Sequence, residues 1–150
     1  MKKFSTLITI LLTTILFSSC GLFYMNEPAP PLYLPERTEI IEILLYDNTE
    51  DDQHFRGDSD AILTSNEQID FVLNILANTT PTKKESVNDS PYVDEFLLIH
   101  INTNSSSYHF SYLYKRERYF GLITQWYIEQ PYRGIYEISE EEAQSLLNLL

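Results

Sequence analysis

Glycine occurs four times in this 150-residue chain and cysteine once, and basic residues are outnumbered by acidic ones, 10 against 22. The glycines are scattered, so no phosphate-cradling loop is available, and no serine stands in a Gly-x-Ser-x-Gly elbow. The formal net charge of −12 sets the chain against nucleic acid, which is excluded as a partner, and against anionic lipid headgroups. The longest apolar run, Phe4 to Phe17, is too short to span a bilayer comfortably. No internal repeat is present. What the chain has in quantity is aromatic: eleven tyrosines, eight phenylalanines and one tryptophan.

The N-terminus, "MKKFSTLITILLTTILFSSCG", has two lysines, an uncharged run and then small residues, the order of an export signal. Leu16-Phe17-Ser18-Ser19-Cys20 resembles the lipobox of bacterial lipoproteins, with Phe17 where leucine is commonest. The resemblance implies cleavage after residue 19 and lipidation of Cys20, whose acyl chains would anchor the protein to membrane lipid on the extracytoplasmic face. An ordinary export signal is the alternative, but it would leave a free thiol on an exported chain. Losing Lys2 and Lys3 takes the charge from −12 to −14. Fifteen isoleucines against four alanines hint at an AT-rich, Gram-positive source.

Residues 20–37 read as a lipidated cysteine and a tether, with four prolines between Gly21 and Pro35 and no strand or helix period. Phe23, Tyr24, Met25 and Leu32 are apolar for a linker and suit either lipid headgroups or the domain surface. Residues 38–150 then form one domain. "TEIIEILLYD" is a first strand with Ile41, Ile43 and Leu45 on one face and Ile40, Leu44 and Tyr46 on the other, hence central in its sheet. In "TSNEQIDFVLNILAN", Ile69, Val72, Leu73 and Leu76 share one face of a helix, started by a Thr64–Glu67 capping box.

"DEFLLIHIN" and "SYHFSYLYK" form a hairpin. A turn centred between Asn104 and Ser105 sets Leu97, Ile99 and Ile101 opposite Tyr112, Phe110 and Tyr108, and His100 opposite His109. "YFGLITQWYIE", with Gly121 as a bulge, and "GIYEI" are two more strands. Their hairpin places Pro131 at the second turn position, gives Gly134 a positive φ, and sets Glu129 against Gly134, Ile128 against Ile135 and Tyr127 against Tyr136. A second capping box, Ser139 with Glu142, begins a last helix with the stripe Ala143, Leu146, Leu147 and Leu150. The fold class is α+β: a two-layer sandwich, mainly an antiparallel sheet of about five strands in the order β-α-β-β-β-β-α, covered by two amphipathic helices.

Each candidate site has a plain structural alternative. His100 and His109, facing each other, could share a metal, but zinc needs a further ligand that the sequence does not locate, so two solvated histidines are favoured. The loop from Asp47 to Asp60 is acidic; with Gly57 as the calcium-loop glycine, however, His54, Arg56 and Leu63 fall on ligand positions, and the motif fails. Asp94, Glu95 and Glu129 read as surface carboxylates rather than a glycosidase pair. The aromatics suit sheet packing better than a sugar platform. No enzyme and no cofactor is expected.

The lipobox at Cys20, "SVNDSP" at 86–91 and "YIEQPYRGIYEIS" at 127–139 together resemble a family of small uncharacterised predicted lipoproteins of Gram-positive bacteria, a domain of unknown function spanning about Thr38 to Ile138. That family carries no established activity, so none transfers. The expected function is a membrane-anchored envelope lipoprotein that binds an envelope protein or a cell-wall component without catalysis. The alternative is an extracytoplasmic domain that senses a small ligand or metal, or acts as an inhibitor or immunity module. Gln130, Tyr132 and Arg133, at the hairpin tip, and Trp126 are the candidate partner-binding residues.

Overall fold

Apolar residues on both faces of successive strands dictate a sheet that must be covered twice. A computed structural model of the chain describes residues 28–48, 58–88, 91–105, 109–118, 121 and 123–150. Its elements are β1 (Ile40–Asn48), β2 (Ala61–Leu63), α1 (Asn66–Ala77), β3 (Thr80–Pro81), β4 (Phe96–Thr103), β5 (His109–Arg118), β6 (Ile123–Gln130), β7 (Gly134–Ile138) and α2 (Glu140–Leu147), after one 3-10 turn at Arg37–Glu39. The strands form one seven-stranded sheet in the order β2-β1-β4-β5-β6-β7-β3, with every neighbouring pair antiparallel. The α+β class holds, but about five strands was too few. The two missed strands are the edges β2 and β3, three and two residues long, too short to show a period of two.

Both helices lie on one face. Ile69, Val72, Ile75 and Leu76 of α1 and Ala143 and Leu146 of α2 pack with Ile43, Leu45, Leu97, Ile99, Leu113, Ile128 and Tyr136 of the sheet. The cap of α1 is Ser65, one residue later than expected, accepting from Gln68 N at 3.2 Å. Ser139 and Glu142 form the expected reciprocal box at α2, with Glu142 N donating to Ser139 Oγ at 3.2 Å. Leu150 lies past the end of α2 and is exposed. In β1 a bulge between Ile40 and Glu42 breaks the expected alternation: Ile40 joins the helix-side core and Ile41 is 53 % exposed.

Both hairpins run one residue out of the expected register. Leu97 pairs with Leu113, Leu98 with Tyr112, His100 with Phe110 and Ile101 with His109. Tyr127 pairs with Glu137, Ile128 with Tyr136, Glu129 with Ile135 and Gln130 with Gly134. Each turn is centred on a residue rather than on a bond, and a slip of one moves every side chain to the other face. The aromatic side chains of β5 therefore leave the helices. Phe96, Leu98, Tyr112, Tyr114, Tyr127 and Ile135 make a second buried cluster on the opposite face, with Phe96 and Tyr112 edge to face at 5.2 Å. Tyr108 lies outside the described residues. Gly121 has φ +83° and precedes β6 instead of bulging it.

The turn between β6 and β7 uses Pro131 at its second position and Tyr132, at φ 57°, at its third, with Arg133 N donating to Gln130 O at 3.1 Å. Gly134 is glycine for another reason. A Cβ there would lie 2.4 Å from Ala29 Cβ, because residues 28–34 pack along β7. Gln130 brackets the Tyr33 peptide, its Nε2 donating to Tyr33 O and its Oε1 accepting from Tyr33 N, both at 2.9 Å. Tyr136 Oη donates to Pro30 O at 2.8 Å, and Ala29 N to Thr82 O at 2.9 Å. Ala29, Leu32 and Leu34 rest on the helix-side core. Leu32 of the proline-rich stretch thus sits on the domain; Phe23, Tyr24 and Met25 lie outside the described residues.

Gly134→Ala is expected to displace this segment and to destabilise the protein by about 1–3 kcal/mol, the usual range for overpacking. Thermal melting combined with limited proteolysis near residue 30 checks it; wild-type melting and cleavage would refute the close approach.

Candidate functional site

The face of the sheet away from the helices needs a cover that no helix among the described residues supplies, and residues 82–88 and 91–95 lie across it. Thr82 N donates to Ile135 O at 3.0 Å and Ile135 N to Lys84 O at 3.3 Å, which ties the start of this segment to β7. Ser86 is then carried over β6, where its Oγ donates to Glu129 Oε1 at 2.7 Å. Tyr114, diagonally across from Glu129 on β5, donates its hydroxyl to Oε2 at 3.1 Å. The "SVNDSP" and "YIEQPYRGIYEIS" stretches, noted separately in the sequence, therefore meet at a buried hydrogen bond.

Glu129 is 6 % exposed, so it is not the surface carboxylate expected from its sequence. A buried carboxylate is tolerated only where its oxygens are bonded and cations are near. Arg116 and Glu129 border one small cavity of about 120 Å³, with Tyr92, Val93 and Tyr114. Lys84 Nζ lies 4.8 Å from the centre of the Tyr127 ring, which in turn is 5.8 Å from that of Tyr114. Burial first, and the charge and hydrogen bond of Glu129 next, push the Tyr114 hydroxyl far above its ordinary range. Tyr114 is therefore a fixed donor at neutral pH, and with both oxygens of Glu129 engaged the trio acts as a pin between cover and sheet. The signal for it was present: Glu129 follows Tyr127 and Ile128 in a strand that is otherwise buried, and a charge in such a place requires partners.

The histidines are kept apart. His100 shares its face with Phe110, ring centres 4.4 Å apart, whereas His109 projects on the helix side against Tyr33, at 5.3 Å. The pair cannot hold one ion between them, since the one-residue change of register puts them on opposite faces. Among the described residues no three His, Cys, Asp or Glu side chains converge as metal ligands. Of the acidic loop, residues 49–57 lie outside the described residues, as does Cys20. Asp47 N donates to Asp60 Oδ2 at 2.8 Å, and burial followed by the charges of Asp60 and Glu95 raises the Asp47 carboxyl.

The four candidate partner-binding residues divide between the two ends of β6. Gln130 is buried and spent on Tyr33. Tyr132 is 66 % exposed at the tip, and Arg133 lies over the Tyr33 ring at 4.3 Å. Towards the other end Trp126 is half-buried, with Lys115 Nζ 5.6 Å from its ring. Lys115 also lines a groove of about 670 Å³ that the sequence did not reveal, together with Tyr92, Asp94, Glu95, Arg116 and Glu117. Tyr92 is 96 % exposed on its wall. Among the described residues no helix is long and apolar enough to cross a membrane.

An antiparallel α+β domain with a polar pin on its open face is thus the class of protein that the fold and site define. The chain belongs to the DUF5301 family, described as a domain of unknown function (DUF5300), whose sequence profile matches residues 28–137 and so includes the docked N-terminal segment. An NMR structure of a protein from Ruminococcus gnavus is similar, with 26 % sequence identity and a TM-score of 0.56 over 76 % of this chain and 98 % of that one. No curated protein matches the chain.

Tyr114→Phe removes one donor and leaves a buried carboxylate oxygen short of a bond, and is expected to cost about 1.5–3 kcal/mol by chemical unfolding; no loss would refute the contribution of this bond to the pin. Burial lowers both His100 and His109 from the ordinary value of 6.5, with Glu42 opposing the shift at His100 and the His109 charge adding to it, and with Arg133 adding and Glu39 opposing at His109. The unfolded chain then binds more protons below that value, so stability present above it is lost as pH falls through the lowered values. Melting temperature is expected to fall on acidification by less in His100→Gln than in wild type; parallel profiles would refute the lowered His100 value.

Proposed function

We propose that this protein is a lipid-anchored, extracytoplasmic binding module of the bacterial envelope, held by an acylated Cys20, that engages an envelope protein or wall component without catalysis. The observation that carries the binding reading is Tyr92, 96 % exposed on a groove of about 670 Å³ that presents Lys115 and Arg116 beside Asp94, Glu95 and Glu117. An aromatic plane flanked by both signs of charge suits a polar surface partner. The buried Ser86–Glu129–Tyr114 trio supports the non-catalytic reading, since both oxygens of its carboxylate are occupied and its phenol stays protonated. The anchor rests on the lipobox resemblance and on the chain's short, uncharged N-terminal run.

Two measurements test the proposal. Palmitate labelling and fractionation should place the wild type in the membrane and release Cys20→Ser, with at least about a tenfold fall in membrane-bound protein, since one or two acyl chains supply most of the affinity. A photo-crosslinker at position 92 of the full chain should trap one discrete partner or wall fragment in cells, lost in Arg116→Ala. A Cys20→Ser protein that stays in the membrane removes the anchor, and crosslinks indifferent to Arg116 remove the groove.

A further inference from the structure

The walls of the Tyr92 groove come from two pieces of chain. On one side, Tyr92 stands between Pro91, which is buried, and Val93, which packs on the second core. With both neighbours held, the ring is kept outward at 96 % exposure. Asp94 and Glu95 follow, both exposed, immediately before β4. The other wall is the end of β5, where strand alternation sends Lys115 and Glu117 to the side of Leu113 and Arg116 to the side of Tyr114.

Both cations of the groove have company of their own. Lys115 Nζ lies 5.6 Å from the Trp126 ring. Arg116 borders the small cavity over Glu129 and Tyr114, where its charge opposes the upward push of burial and of Glu129 on the Tyr114 hydroxyl. The carboxylates have none: among the described residues no lysine or arginine closes an ion pair on Asp94, Glu95 or Glu117. Three acidic groups against two basic ones leave the groove one charge negative. The negative field continues past it, since burial, then Asp60 and then Glu95 raise the Asp47 carboxyl near the end of β1. The net charge of −12 on the whole chain adds to that field at longer range.

An aromatic face beside unpaired carboxylates suits an alkylammonium group. The ring attracts the cation through its quadrupole, the methylenes lie along the ring, and the carboxylates accept the N–H bonds. A phosphate or an acidic sugar would meet repulsion, and a neutral sugar would leave desolvated charges without partners. A volume of about 670 Å³ is that of a small-ligand site, so the occupant is a short segment rather than the face of a folded domain.

We propose that the Tyr92 groove recognises a primary ammonium group on an aliphatic stem, carried by a short extended peptide; the proposal rests on the binding reading of this groove. The stem lies on Tyr92, the ammonium faces Asp94, Glu95 and Glu117, and Arg116 donates to a carbonyl of the peptide backbone. A lysine side chain of an envelope protein and the free amino group of a wall peptide present the same chemistry.

The test uses the full chain, expressed and processed, in detergent micelles, with the peptide Ala-Ala-Lys-Ala-Ala carrying a fluorophore on its N-terminus. Binding read by fluorescence anisotropy is expected to weaken as salt rises, and to fall about tenfold when the lysine amine is acetylated and in Tyr92→Ala. It should be lost in the combined Asp94→Asn, Glu95→Gln, Glu117→Gln variant, and Arg116→Ala should weaken it without changing the preference for the free amine. All three carboxylates are exposed, so melting of the variant as in wild type separates lost binding from lost folding. Equal binding of the free and acetylated peptides overturns ammonium recognition. Undiminished binding by the combined variant seats the cation elsewhere on the acidic surface and overturns it too. Binding of neither peptide, with the crosslinks from position 92 retained, overturns the ammonium and leaves the groove; loss of both overturns the groove as well. Soluble wall fragments that compete until their amino groups are acetylated give the wall as the source, and fragments that never compete give a protein.

Discussion

A sheet that is apolar on both faces has to be shielded from water on both, and two helices suffice for one. Everything distinctive in this domain follows from how the second face is closed. A loop buries little apolar surface per residue and cannot match a helix in hydrophobic contact. It is held here by directional bonds: backbone pairing at Thr82 and Lys84, then Ser86 on a carboxylate that rises from the sheet. Tyr114 completes the carboxylate, and its ring and that of Tyr127 form part of the floor. The polar atoms are few, but each is placed where a missing partner would be costly.

The same economy governs the β7 side. Beyond β7 the sheet has only the two residues of β3. An irregular, proline-rich segment takes the remaining length. Its own amides pair poorly with a strand, so a side chain, Gln130, supplies a donor and an acceptor to one of its peptides. Gly134 makes room for the approach. A stretch with no secondary-structure period is nevertheless part of the fold, and it fixes the point from which the N-terminal chain departs.

Long periodic elements were legible in the sequence. The apolar stripe of α1, the Ser139–Glu142 box of α2 and the bounds of β7 at Gly134–Ile138 were all readable, because each depends on neighbours in the chain. The hairpin registers were not. In the β6–β7 hairpin, whether the turn centres on a bond or on a residue depends on a positive φ at Tyr132, a residue type that rarely takes one. In the β4–β5 hairpin the same one-residue choice sent His100 and His109 to opposite faces and gathered Tyr112 and Tyr114 into a second core. Glu129 was misread for a related reason: its partner Ser86 lies 43 residues away in a segment with no pattern.

The two ends of the sheet carry one more consequence. β2 is three residues long, and β3 is two, the second of them Pro81, which has no amide to offer. Open strands recruit one another when copies of a protein meet edge to edge. An edge too short to template a neighbour, and one closed by a proline, let this domain meet its own copies without joining them into a continuous sheet.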